Sequence, residues 1–176
     1  MTTGPEIALS AIILVSSIPL ILISIRLYKA LSLLGARLDP ALGFLLLSLG
    51  QIAGAASIIL EGRPSYTLYV ATSYLEAAGF IALIEGARGG HPRSYTIIPL
   101  AIPLIGDLVA AASSLYASYR FQATARTLSA IVGFAFVLRF IGLVFAPNVL
   151  GTTLLVIGEL ARAGGLAALA VFYGRG

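Results

Sequence analysis

Six residues of a very apolar chain have the types needed for charge or proton chemistry: Gln51, Glu76, Asp107, Arg139, Glu159 and Arg162. Each stands near the middle of a long apolar stretch, within about three residues, or roughly 5 Å at helical rise, of its centre. A carboxylate in low dielectric can load and release a proton, and a guanidinium at the same depth can serve as its counter-ion or grip an anionic substrate. Each ionised group there costs about 2.5–3.5 kcal/mol on insertion scales. They are therefore expected to face inward as one layer, lining a path for an ion, proton or small solute.

Glu159 and Arg162 stand three residues apart on one helix face and can neutralise each other locally, which leaves Glu76 and Asp107 as the stronger coupling sites. The alternative is structural: Asp107 with Arg139, and Glu159 with Arg162, as buried pairs that fix helix register without transporting anything.

The elements that must position these groups are transmembrane helices. Of 176 residues, 59% are hydrophobic and 10% charged, against about 25% charged in a soluble domain, so lipid must be the solvent for most of the surface. A span needs about 20 apolar residues. Six stretches qualify, at about 7–25, 41–60, 67–84, 96–116, 128–145 and 149–173. The fold class expected is an all-α, polytopic transmembrane bundle of six helices forming a single domain over 1–176, multi-pass in the cell membrane. Arg26, Lys29 and Arg37 follow the first stretch instead of preceding it, so it reads as a retained helix and not a secretory signal.

Prolines punctuate the pattern. Pro19 is expected to bend the first helix, and Pro99 with Pro103 the fourth, since each removes a backbone hydrogen bond. Interrupted helices in corresponding places of two halves point to a central binding site. Shifting the chain by 88 residues lays Leu27-Tyr28 on Leu115-Tyr116 and Gln51–Gly54 on Arg139–Gly142, which suggests repeat halves 1–88 and 89–176. With an odd number of crossings per half, the second half is expected to lie upside down, a 3+3 inverted repeat.

On that alternating topology one side receives Arg26, Lys29, Arg37, Arg88 and Arg93, and the other Arg63, Arg120, Arg126 and Arg175, with almost no positive-inside bias. The basic cluster after the first helix favours an external N-terminus. Tyr28, Tyr66, Tyr69, Tyr95, Tyr116, Tyr119 and Tyr173 fall near expected helix ends, as in an interfacial belt. Small-residue ridges at Gly50/Gly54, Ala78/Ala82/Gly86 and Ala161/Gly165 suit close packing within the bundle, between copies of the chain or against a membrane partner.

Several classes drop out. The absence of cysteine excludes disulfides and thiolate metal sites, and a single histidine, His91 in a turn-rich stretch, cannot make a multi-histidine metal or bis-histidine haem centre. No cofactor is expected. Ten of the eleven basic residues are arginines scattered singly, so the net charge of +4 suits lipid headgroups and not nucleic acid. No Walker loop, HExxH, GxSxG or acidic metal cluster is present, so an enzyme is not expected. The function expected is a small permease or channel-like protein, with a non-transporting membrane subunit or sensor as the alternative.

Overall fold

Apolar runs in lipid must satisfy every backbone group internally, and helices do so within one segment. The computed structural model describes residues 3–60, 62–88, 103–146 and 148–174, and among them every regular element is a helix. The six are α1 (Gly4–Leu33), α2 (Asp39–Ile59), α3 (Arg63–Arg88), α4 (Pro103–Arg120), α5 (Ala123–Phe145) and α6 (Val149–Gly174). Five of them, all but α4 as described, are long and apolar enough to cross a bilayer, which marks a multi-pass membrane protein. Pro99, His91 and the expected start of the fourth helix near 96 lie outside the described residues.

Most helices outrun their apolar stretches. Backbone hydrogen bonding continues past the hydrocarbon boundary, where Arg26 and Lys29 on α1, Arg63 on α3 and Arg126 on α5 can reach the headgroup region. α1 runs unbroken through Pro19, and the described part of α4 opens at Pro103. α1 ends where Gly35 adopts φ +61 and the Ala36 and Gly35 amides donate to the Leu31 and Ser32 carbonyls, a Schellman closure that glycine adopts without steric cost.

Each helix packs on its neighbours in sequence, and α6 closes the ring on α1. Serines help hold α1 to α2: the Ser10 hydroxyl donates to the Ala55 carbonyl and that of Ser24 to the Ala41 carbonyl, both at 2.8 Å. The core on one side of the polar layer is built from Leu20, Phe44, Leu47, Phe80, Phe136, Leu166 and Leu169. Large apolar side chains such as Val15, Leu22, Phe134 and Leu150 point outward, as a lipid-facing surface requires.

The direction of α4 departs from the alternating expectation. Tyr69 and Ser73 in the first half of α3 bond Asp107 in the first turns of α4, while Ile84 and Ala87 line one cavity with Tyr119 and Arg120 at the far ends of both helices. α3 and α4 therefore run the same way. α6 likewise runs with α1, because Ile13 packs on Ala163 and Gly174 lies beside Ile23 and Arg26. The directions are up, down, up in α1–α3 and again up, down, up in α4–α6. Among the described residues the two halves are parallel, not inverted. Counting helices alone led to the inverted expectation, since it assumed that every neighbouring pair is antiparallel.

Candidate functional site

The ring leaves its centre to side chains. α3 and α6 face each other across it without close backbone contact, yet Arg162 on α6 donates through Nη1 to Glu76 Oε1 on α3. Arg162 also donates to Glu159 Oε2, through Nε at 3.0 Å and Nη2 at 2.5 Å. Glu159 Oε1 in turn lies 3.1 Å from Arg139 Nε on α5. Arg139 Nη2 stands 3.5 Å from Asp107 Oδ1 on α4, an ion pair too long for a good hydrogen bond. Toward the other end, Gln51 Nε2 on α2 donates to Glu76 Oε1 at 3.2 Å, and Ser16 on α1 donates to Gln51 Oε1 at 2.9 Å.

The structure thus joins all six sequence-selected residues in one chain of contacts, Asp107–Arg139–Glu159–Arg162–Glu76–Gln51, in which acids and arginines alternate until the final amide. It touches every helix of the ring. Glu159 is 8% exposed and the other five are fully buried. Buried charges are tolerated when paired, and here each acid has a guanidinium partner. The pairing is incomplete at individual atoms: Glu76 Oε2 and Arg139 Nη1 have no hydrogen-bond partner among the described residues.

Two glycines make room for these side chains. A Cβ on Gly50 would stand 2.5 Å from Glu76 Cγ, and one on Gly54 would stand 2.8 Å from Arg162 Nη2. The Gly50/Gly54 ridge is therefore the seat of the charged layer. The other ridge glycines also serve the bundle, Gly86 against Pro40 and Gly165 against Val132.

Two further side chains join the layer that the sequence did not single out for it. Tyr69, assigned to the interfacial belt, instead donates to Asp107 Oδ2 at 2.7 Å, and the Arg139 guanidinium carbon lies 4.5 Å from its ring centre. Ser73 donates to Asp107 Oδ1 at 2.5 Å. The signal was present in the spacing: Tyr69, Ser73 and Glu76 stand four and three apart, on one face of α3.

A cavity of about 570 Å³ reaches the layer from the end where α1 and α3 begin. Leu9, Ile58, Leu143, Leu155 and Val156 line its mainly apolar wall, and Tyr69 with Glu159 brings the charged chain to its surface. Its size falls in the range of about 300–1,000 Å³ typical of small-molecule sites. Among the described residues no group of His, Asp and Glu has the makings of a metal centre.

Comparisons of this chain with protein-family models, with curated proteins and with solved structures return no match.

Proposed function

We propose that this protein is a small permease or channel-like protein, in which a proton or a small cation-bearing solute enters through the apolar cavity and acts on Glu159. The observation that carries this reading is the meeting of that cavity with one end-to-end chain of alternating charges. Glu159 accepts from Arg162 and is ion-paired with Arg139, so a proton or cation that takes its carboxylate competes with both arginines. The released guanidiniums have Asp107 and Glu76 as their remaining partners. Occupancy of one carboxylate would thus shift contacts on α3, α4, α5 and α6 at once, which is the coupling a transport cycle needs.

The test is flux into liposomes containing the purified chain, with pH-sensitive and solute-sensitive reporters. Glu159→Gln, Glu76→Gln and Asp107→Asn are expected to reduce flux at least tenfold, while the amide variants at Glu76 and Asp107 keep the thermal midpoint within a few degrees. Variants that lose stability in step with flux, or wild type that moves nothing across a gradient, would refute transport.

One observation favours a second reading. Every acid of the layer already holds an arginine, as in a layer that serves to fix helix register, so a non-transporting membrane subunit or sensor is the alternative. Under it the same substitutions alter stability or assembly alone.

A further inference from the structure

The parallel arrangement of the halves redistributes the exposed charge. At the end where α1, α4 and α6 finish lie Arg26, Lys29, Arg37, Arg120 and Arg126, and α3 also ends there at Arg88. At the opposite end the corresponding described basic residue is Arg63. Lys and Arg in short connections mark the cytoplasmic side, so the balance that was even under alternating helices becomes strongly one-sided.

At this basic end a second cavity, of about 560 Å³, opens between the last turn of α3 and the α4–α5 turn, lined by Ile84, Ala87, Tyr119, Arg120 and Arg126. Arg126 Nε donates to the Phe121 carbonyl at 3.3 Å, which holds the guanidinium beside the cavity. The Arg120 guanidinium carbon stands 5.9 Å from the Tyr116 ring centre. Glu85, on the adjacent turn of α3, is buried and engaged in an interaction of its own. Two planar guanidiniums and a phenol around one opening match the oxygens of a phosphate, and the first turn of α5 adds the positive end of its dipole.

We infer that this end faces the cytoplasm and that the Tyr119/Arg120/Arg126 cavity binds a phosphate group, that of an anionic phospholipid in the adjoining leaflet. Phosphate chemistry alone fits a soluble anion as well. The lipid source is favoured by position: the cavity opens at the rim of a membrane bundle, flanked by Tyr116 and Tyr119, which are 45% and 76% exposed, as headgroup-level aromatics are.

The experiment uses the full chain in detergent, titrated with phosphatidylglycerol and read by native mass spectrometry. Wild type is expected to retain the lipid, and Arg120→Gln/Arg126→Gln to weaken retention at least tenfold. Arg26→Gln/Lys29→Gln, which removes the same charge from the same end, is expected to change it less than twofold. Both arginines are exposed, and should the double variant fail to fold, the single variants decide, each expected to cost at least threefold. Equal losses in the two double variants, or equal retention of phosphatidylcholine, would overturn the site. Displacement of the lipid by millimolar inorganic phosphate would overturn the lipid assignment and make it a soluble-anion site. Cytoplasmic exposure is checked separately by side-specific labelling of Ala36→Cys in sealed cells, and labelling from outside overturns the orientation.

Discussion

Removing one charge from the central layer should have opposite consequences for the two signs. With Asp107, Glu76 and Glu159 ionised against Arg139 and Arg162, the layer carries one negative charge in excess. Glu76→Gln removes that excess, and an amide oxygen can still accept from Arg162 and Gln51 in the same space. Arg162→Gln instead raises the excess to two, leaves Glu76 without a counter-charge and leaves Glu159 with Arg139 alone. Breaking a buried pair by deleting one partner costs about 3–5 kcal/mol. For a chain of this size 1 kcal/mol corresponds to roughly 2–4 °C, so the predicted fall in midpoint for Arg162→Gln is about 6–20 °C. Glu76→Gln is predicted to stay within about 3 °C of wild type, on the premise that a satisfied neutral group replaces a costly charge. Thermal unfolding of the purified protein in one detergent measures all variants. Arg162→Gln/Glu76→Gln should recover more than half of the loss, because it restores the original charge excess and leaves no carboxylate without an arginine. The reasoning is refuted if Glu76→Gln is as damaging as Arg162→Gln, since the layer would then answer to shape and not to charge.

Because the chain contains no cysteine, single introduced cysteines report topology cleanly: Ala36→Cys and Gln122→Cys, in the α1–α2 and α4–α5 turns, should label from the same side of the membrane, where alternating helices would put them on opposite sides. Gly50→Ala forces a methyl group into Glu76 Cγ and is expected to cost about 1–3 kcal/mol by overpacking, a loss that Gly50→Ala/Glu76→Ala should partly relieve, as read by the same unfolding assay. Ala123 opens α5 with φ +48, a left-handed conformation that costs an L-residue about 1–2 kcal/mol, so Ala123→Gly should raise the midpoint by a few degrees.

Hydropathy alone revealed the helices, because spans in lipid need uninterrupted apolar length and little else. The layer was legible for a related reason: Asp107 or Arg139 amid some twenty apolar neighbours admits few positions other than the bundle interior. Helix ends were less so, since backbone bonding continues into the headgroup region where hydropathy has already fallen, as at Arg63 and Arg126. Tyr69 lies near the start of an apolar stretch, which suggests interfacial depth, while its face on α3, shared with Ser73 and Glu76, is the informative quantity. The direction of α4 could not be read at all. It depends on which turns of α3 the Asp107 side chain meets, and composition is the same whichever way a helix runs.

The parallel halves also change what a duplication would mean. In each half the middle helix sends one long polar side chain to a carboxylate on the third: Gln51 Nε2 lies 3.2 Å from Glu76 Oε1, and Arg139 Nε lies 3.1 Å from Glu159 Oε1. Gln51 and Arg139 are the residues that the 88-residue shift superposes. A repeat of this kind, proposed here as parallel, would have its axis along the membrane normal and relate Gln51 to Arg139 at similar depth, while the same shift lays Glu76 on Gly164 and leaves the two carboxylates unmatched. Arg162 then does what neither half can do alone, reaching across the ring to join both carboxylates. Because Gln51 is neutral where Arg139 is charged, a layer with all three acids ionised would keep one negative charge at a depth where an unmatched charge is expensive. A proton or a cation is the cheapest way to cancel it. Glu159 is the layer's carboxylate on the cavity wall, and under the proposed function it is where either one would arrive.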